Sequence, residues 1–130
     1  MDLKTFFFNQ WVFVGHISRI KNKGDYFLFK IGNESIILIR ENEDKINAFY
    51  NVCRHRGSHI CLEEEGRVRK FICPYHAWNY DLSGKLLKAR MMDNDFKPEN
   101  WSLKKCNSLV FEGLIFINLS DKPSDFEIFI

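Results

Sequence analysis

The sequence predicts an all-β domain built of antiparallel sheets, and three observations carry that reading. Short runs of β-branched and aromatic residues recur along the chain, turn-forming residues separate them, and no stretch sustains a clean helical period. Thirteen Phe and an aromatic share of 15% give the runs their strand character. At 130 residues the chain has the size of one domain able to bury a real core, so residues 1–130 read as a single unit.

The runs follow one another in order. Trp11 to Ser18 comes first, and Asp25 to Ile31 and Glu34 to Arg40 are joined by Gly32-Asn33, a two-residue hairpin link. Asn42-Glu43-Asp44 turns the third run into Ile46 to Val52. Arg67 to Ile72 is the fifth run, and Trp78 to Leu82 is closed by a turn at Ser83-Gly84. Leu109 to Leu119 is the last, with Gly113 marking a bend or a turn between two shorter strands. Between these, Ala89 to Lys105 lacks period-2 alternation at Met91, Met92, Phe96 and Trp101, and Pro98 interrupts any helix, so it reads as a long connecting loop.

Charge and composition exclude several function classes. Nineteen Lys plus Arg against seventeen Asp plus Glu leave a net charge of +2, without the basic excess that nucleic-acid binding needs. The longest apolar stretch near the N-terminus, Phe6 to Val14, is broken by Asn9 and Gln10, and Asp2 stands where a signal peptide carries positive charge. Neither a leader nor a membrane span is expected. Two of the four Cys sit beside His at ligand spacing, which favours metal binding in a reducing compartment, the cytoplasm, over disulfides.

The chemistry is concentrated in two short segments. Residues 53–59 read CRHRGSH and residues 73–78 read CPYHAW, giving Cys53-x-His55, seventeen intervening residues, then Cys73-x-x-His76. Two Cys/His pairs on two turns can converge on one metal site, and a Rieske [2Fe–2S] centre needs two thiolates on one iron and two imidazoles on the other. Each segment offers one of each. Zinc sites more often pair like with like, at C-x₂₋₄-C and H-x₃₋₅-H spacing, so a zinc-binding structural or interaction module is the alternative. Gly57 suits a turn with close backbone approach, and Pro74 stiffens the second loop. Neutral imidazoles raise the potential relative to an all-Cys cluster and leave titratable ring nitrogens, so electron transfer can be coupled to proton transfer.

NVCRHRGSHIC followed by CPYHAWNYDLSGKL resembles the Rieske domain of the large α subunits of ring-hydroxylating and related Rieske oxygenases. The likeness extends to QWVFVGHISRI, GDYFLFKIG, INAFYNV and GLIFINL, which are similar to the strands flanking the cluster in that family. It implies a Rieske-type fold with a two-loop cluster-binding subdomain, here within about residues 50–84, and one [2Fe–2S] cluster per chain. It further implies that Cys53 and Cys73 hold the inner iron and His55 and His76 the outer one. His76 would then face an acidic residue of a neighbouring subunit on the way to a mononuclear iron. The implied electron donor is a reductase or ferredoxin, and the implied acceptor is a mononuclear-iron oxygenase domain or subunit. Trp78 in place of a Ser, and Ser58 and Tyr75 where respiratory Rieske proteins carry a second Cys pair, separate the chain from that branch. Fewer hydrogen bonds to the cluster place its potential toward the low end of the Rieske range.

The family's α subunits continue into a C-terminal domain holding two His and a carboxylate around iron(II), whereas this sequence stops at Ile130. Only His16 and His59 remain beside the ligand candidates, and a second iron site would require both, one in the first strand and one beside the cluster, so the isolated chain is expected to carry electrons rather than to hydroxylate. A fragment, a split gene product and a free-standing carrier all fit. Cys61 and Cys106 read as buried or free thiols, Tyr75 and Trp78 as a shield against water, Tyr80 as a core residue, and Glu63-Glu64-Glu65 as a solvated turn. Arg54 and Arg56 flank His55 either as partner contacts or as a solvated face.

Overall fold

The computed structural model describes residues 11–52, 59–73, 78–88 and 101–120. Among these the regular structure is ten strands and one short 3₁₀ turn at Ile17–Ile20. The strands are β1 (Val12–His16), β2 (Asp25–Ile31), β3 (Glu34–Asn42), β4 (Lys45–Tyr50), β5 (Glu65–Arg67), β6 (Phe71–Ile72), β7 (Asn79–Tyr80), β8 (Leu86–Lys88), β9 (Asn107–Phe111) and β10 (Leu114–Asn118). They form three antiparallel sheets, ordered β1-β10-β9, β4-β3-β2-β5 and β6-β7-β8. The all-β expectation holds.

The four-stranded sheet is the middle layer, and β3 shows why. Its apolar run is continuous rather than alternating, and Ile36, Ile37, Leu38 and Ile39 are all fully buried. A strand's side chains alternate between faces, so Ile36 and Leu38 join one core while Ile37 and Ile39 join another. β2 divides likewise, Phe27 and Ile31 to one side and Tyr26 to the other. The first core is completed by Val14, Ile20, Ala48, Cys106, Ile115 and Ile117, so it lies against the β1-β10-β9 sheet. The second contains Phe49, Ile60, Cys61, Phe71, Cys73, Trp78, Tyr80, Leu82 and Leu86, so it lies against the small β6-β7-β8 sheet.

The turns follow their residues. Gly32 has φ +59° at the first central position of the β2–β3 link, the left-handed value that a II′ hairpin requires there. Glu112 and Gly113, at φ 49° and 82°, turn the last run into two paired strands, β9 and β10. One expectation is corrected. Arg67 to Ile72 is not a single strand: β5 ends at Arg67 as the edge of the middle sheet, and β6 begins at Phe71 in another sheet. The backbone N–H of Val68 donates to the carbonyl of Gly24, and the Val68 side chain packs on the second core, while Lys70 is exposed. The chain therefore changes layers there. β8 also went unread, because its three residues follow too closely on the Ser83-Gly84 turn to make a recognisable run. In the expected connecting loop, residues 89–100 lie outside the described ones, and Lys105 makes an isolated bridge to Phe49.

Candidate metal centre

Of the four ligand candidates, Cys73 lies within the described residues. Cys53, His55 and His76 lie outside them, as do Arg54, Arg56, Gly57, Pro74, Tyr75, Met91 and Met92. The flanks of both segments are described, and they define where the two converge.

The second segment sits at the head of a hairpin. β6 and β7 pair Phe71 with Tyr80 and Ile72 with Asn79, and the ladder runs one step further as the Cys73 N–H donates to the Trp78 carbonyl at 2.9 Å. Cys73 and Trp78 therefore face each other across residues 74–77, both buried. The hairpin's far side is fixed by Asp81, whose Oδ1 accepts hydrogen bonds from the Ser83 N–H, the Ser83 hydroxyl and the Lys85 N–H. Gly84, at φ +88°, follows in that turn with its Cα against the Phe49 ring, where a Cβ would come within 2.6 Å of Cε1. Phe49 in turn meets Phe71 edge to face at 6.3 Å. The Asn47 side chain adds a hydrogen bond from Nδ2 to the Leu82 carbonyl.

The first segment leaves the end of β4 and returns at His59. Asn51, fully buried just beyond β4, accepts on Oδ1 from the backbone N–H groups of both Ile60 and Cys61 and donates from Nδ2 to the Cys61 carbonyl. The flanks of the two segments, Ile60–Cys61 and Cys73–Trp78, meet in one apolar core cluster. Trp78 is buried there, edge-on to Trp101 at 6.2 Å, in the packing role expected of it, and Tyr80 is a core strand residue.

The remaining candidates separate cleanly. Cys61 and Cys106 are buried thiols without a disulfide, as expected of them, and burial pushes the pKa of both up to about 12. His16 caps the 3₁₀ turn by accepting from the Ser18 N–H, and His59 is exposed. Glu63, Glu64 and Glu65 are exposed, as expected, though Glu65 also opens β5 and lies 3.8 Å from Arg19. Among the described residues no three His, Cys, Asp or Glu side chains form a group able to hold a metal ion.

The described part of the site fits a cluster. A thiol at the head of a rigid hairpin, buried in an apolar cluster that also receives the flank of the other Cys/His segment, is the donor chemistry and setting a two-iron centre needs. An all-β fold with a buried thiol in that setting suits a protein that carries a metal cluster. Residues 10–107 match the Rieske [2Fe-2S] domain family, and the chain belongs to it.

Its relatives are oxygenase subunits. The chain is 40% identical over 124 residues to the glycine betaine monooxygenase oxygenase subunit of Pseudomonas aeruginosa, covering 95% of this chain and 29% of that one. It is 32% identical over 133 residues to the benzene 1,2-dioxygenase α subunit of Pseudomonas putida, covering 100% and 30%. Among solved structures, naphthalene 1,2-dioxygenase from Rhodococcus sp. superposes with a TM-score of 0.87 at 33% identity over 93% of this chain and 29% of that one. A quaternary ammonium Rieske monooxygenase superposes at 0.83 with 35% identity over 92% and 35%. The chain thus spans about a third or less of the length of these relatives, and its cofactor is a Rieske-type [2Fe–2S] cluster. No helix among the described residues is long and apolar enough to cross a membrane.

Proposed function

We propose that residues 1–130 act as one Rieske domain whose loops, within about 50–84, hold the cluster through Cys53, His55, Cys73 and His76. The domain accepts one electron from a reductase or ferredoxin and passes it to a mononuclear-iron oxygenase centre outside these residues. The observation that carries this reading is the convergence of both segment flanks in a single core cluster, with Cys73 at the hairpin head. The cluster, when bound, supplies reversible one-electron chemistry at a potential raised by its two imidazoles.

The chain's own residues do the rest. Cys53 and Cys73 contribute thiolates from the protein side, where Trp78 and its neighbours exclude water and lower the local dielectric. His55 and His76 contribute neutral imidazoles, whose second ring nitrogens hold or release a proton as the charge of the centre changes. The likeness to monooxygenase and dioxygenase subunits supports an oxygenase acceptor. The Cys/His ligand spacing, which favours metal over disulfides, supports a reducing compartment, the cytoplasm.

The test is EPR of chain purified without oxygen and reduced with dithionite, alongside iron and acid-labile sulfide analysis. Two irons, two sulfides and a reduced two-iron signal lost in both His55→Ala and His76→Ala are expected. Stoichiometric zinc and no signal after reconstitution would leave the zinc-binding structural module instead.

A further inference from the structure

The Asn51 side chain uses its full amide capacity on the ends of the first ligand segment and its anchor. Oδ1 accepts from the N–H of Ile60 at 2.9 Å and of Cys61 at 2.8 Å, and Nδ2 donates to the Cys61 carbonyl at 2.8 Å and to the Ser35 hydroxyl at 3.3 Å. Its backbone N–H donates to the Ser35 carbonyl at 2.9 Å, which ties the same residue to the start of β3. An amide carries two donors and two acceptor lone pairs, so nothing in the side chain is idle. Asn51 is fully buried and Ser35, Ile60 and Cys61 nearly so, so the loss of its side chain removes the bonds it makes to buried backbone groups.

The placement matters because Asn51 stands two residues before Cys53 and joins the chain on both sides of the segment that carries Cys53 and His55. Asn47 and Phe49 stand four and two residues back on the same face of the strand, by the alternation of side chains. They hold Leu82 and Phe71, which belong to the other segment's hairpin. One face of β4 and its extension therefore fastens both segments to the middle sheet, the second through Asn47 and Phe49 and the first through Asn51.

We infer that Asn51 is a positioning residue for the cluster: it closes the first ligand segment and sets where Cys53 and His55 stand relative to Cys73. The inference rests on the cluster assignment proposed above. It is tested on full-length holo-chain prepared anaerobically, comparing Asn51→Ala and Asn51→Asp with Leu38→Ala. Leu38 is buried in the opposite core, so its truncation loosens the fold without touching the segment. The readouts are the rate of iron loss to a chelator, the midpoint potential and the EPR g-values, each set against the thermal midpoint of the same variant.

Asn51→Ala strands several buried backbone groups, and iron loss should be faster than in Leu38→Ala at matched thermal midpoint by roughly tenfold or more. Its potential and g-values should shift, while those of Leu38→Ala stay at the parent values. Asn51→Asp keeps the acceptor toward Ile60 and Cys61 but cannot donate to the Cys61 carbonyl, so its rate should fall between parent and Ala; it carries the comparison if the Ala variant does not fold. Equal iron loss at equal thermal midpoint, with unchanged potential and g-values in the Asn51 variants, would overturn the positioning role while leaving the cluster assignment standing. A parent chain without iron and sulfide would overturn both.

Discussion

Replacing Gly84 with Ala should destabilise the chain by two separable effects. The backbone there has φ +88°, a conformation that costs a residue with a Cβ about 1–2 kcal/mol. The added methyl would also sit 2.6 Å from Cε1 and 3.0 Å from Cζ of Phe49, a fully buried ring packed edge to face on Phe71. Overpacking of this kind costs about 1–3 kcal/mol, so Gly84→Ala should lose about 2–5 kcal/mol in all. Gly32 provides the control, because its φ is also left-handed at +59° but a Cβ there meets nothing within 4 Å. Gly32→Ala should lose only the backbone share, about 1–2 kcal/mol. At roughly 4 °C per kcal/mol for a chain of this size, anaerobic thermal unfolding of the two holo-variants should show midpoints lowered by about 8–20 °C and about 4–8 °C. Equal shifts would refute the claim that the Gly84 turn is pressed against Phe49.

Three further outcomes are expected. Cys61→Ser and Cys106→Ser should keep iron, sulfide and the reduced EPR signal, since both thiols stand outside the two Cys/His pairs, whereas Cys53→Ser and Cys73→Ser should lose them; metal analysis of the four variants checks this. Asp25→Asn should cost about 0.2–1 kcal/mol at neutral pH, because the exposed Arg67 guanidinium hydrogen-bonds the carboxylate at 2.6 Å and holds its pKa below the ordinary value. A lowered carboxyl pKa stabilises the fold above the unfolded value, so the difference between parent and variant should vanish as pH falls through the folded pKa, as thermal midpoints measured down an acid series would show. Leu38→Ala should cost about 2–5 kcal/mol by denaturant unfolding, as expected for a fully buried side chain between layers.

Much of this arrangement is legible in the sequence, and the reasons differ by element. The β2–β3 hairpin can be read to the residue because Gly32-Asn33 is a turn signal with one dominant solution and the flanking runs are rich in strand formers. The Cys/His spacing names the cofactor because few centres need a mixed pair from each loop. The layer change between Arg67 and Phe71 was not legible, since the segment holds no Gly, Pro, Asn or Asp to mark a turn, and Val68 between two basic residues reads as alternation within one strand. Asn51 was equally silent in its role: an Asn before a ligand loop is common turn chemistry, and only the fold shows that its amide reaches Ile60 and Cys61.

β3 presents no side to water along Ile36 to Ile39, and that burial has a consequence for how damage spreads. The described residues form two cores, yet β2, β3 and β4 of one sheet furnish wall for both, so neither should melt while the other stays dry. Free energy lost in the core remote from the ligand segments is therefore shared with the core beneath them, while the coordinates of the segments are set locally by the face of β4. A weakening substitution on the far side should shorten the time for which the centre survives and leave its redox character alone. Substitutions on the near face should retune that character as well.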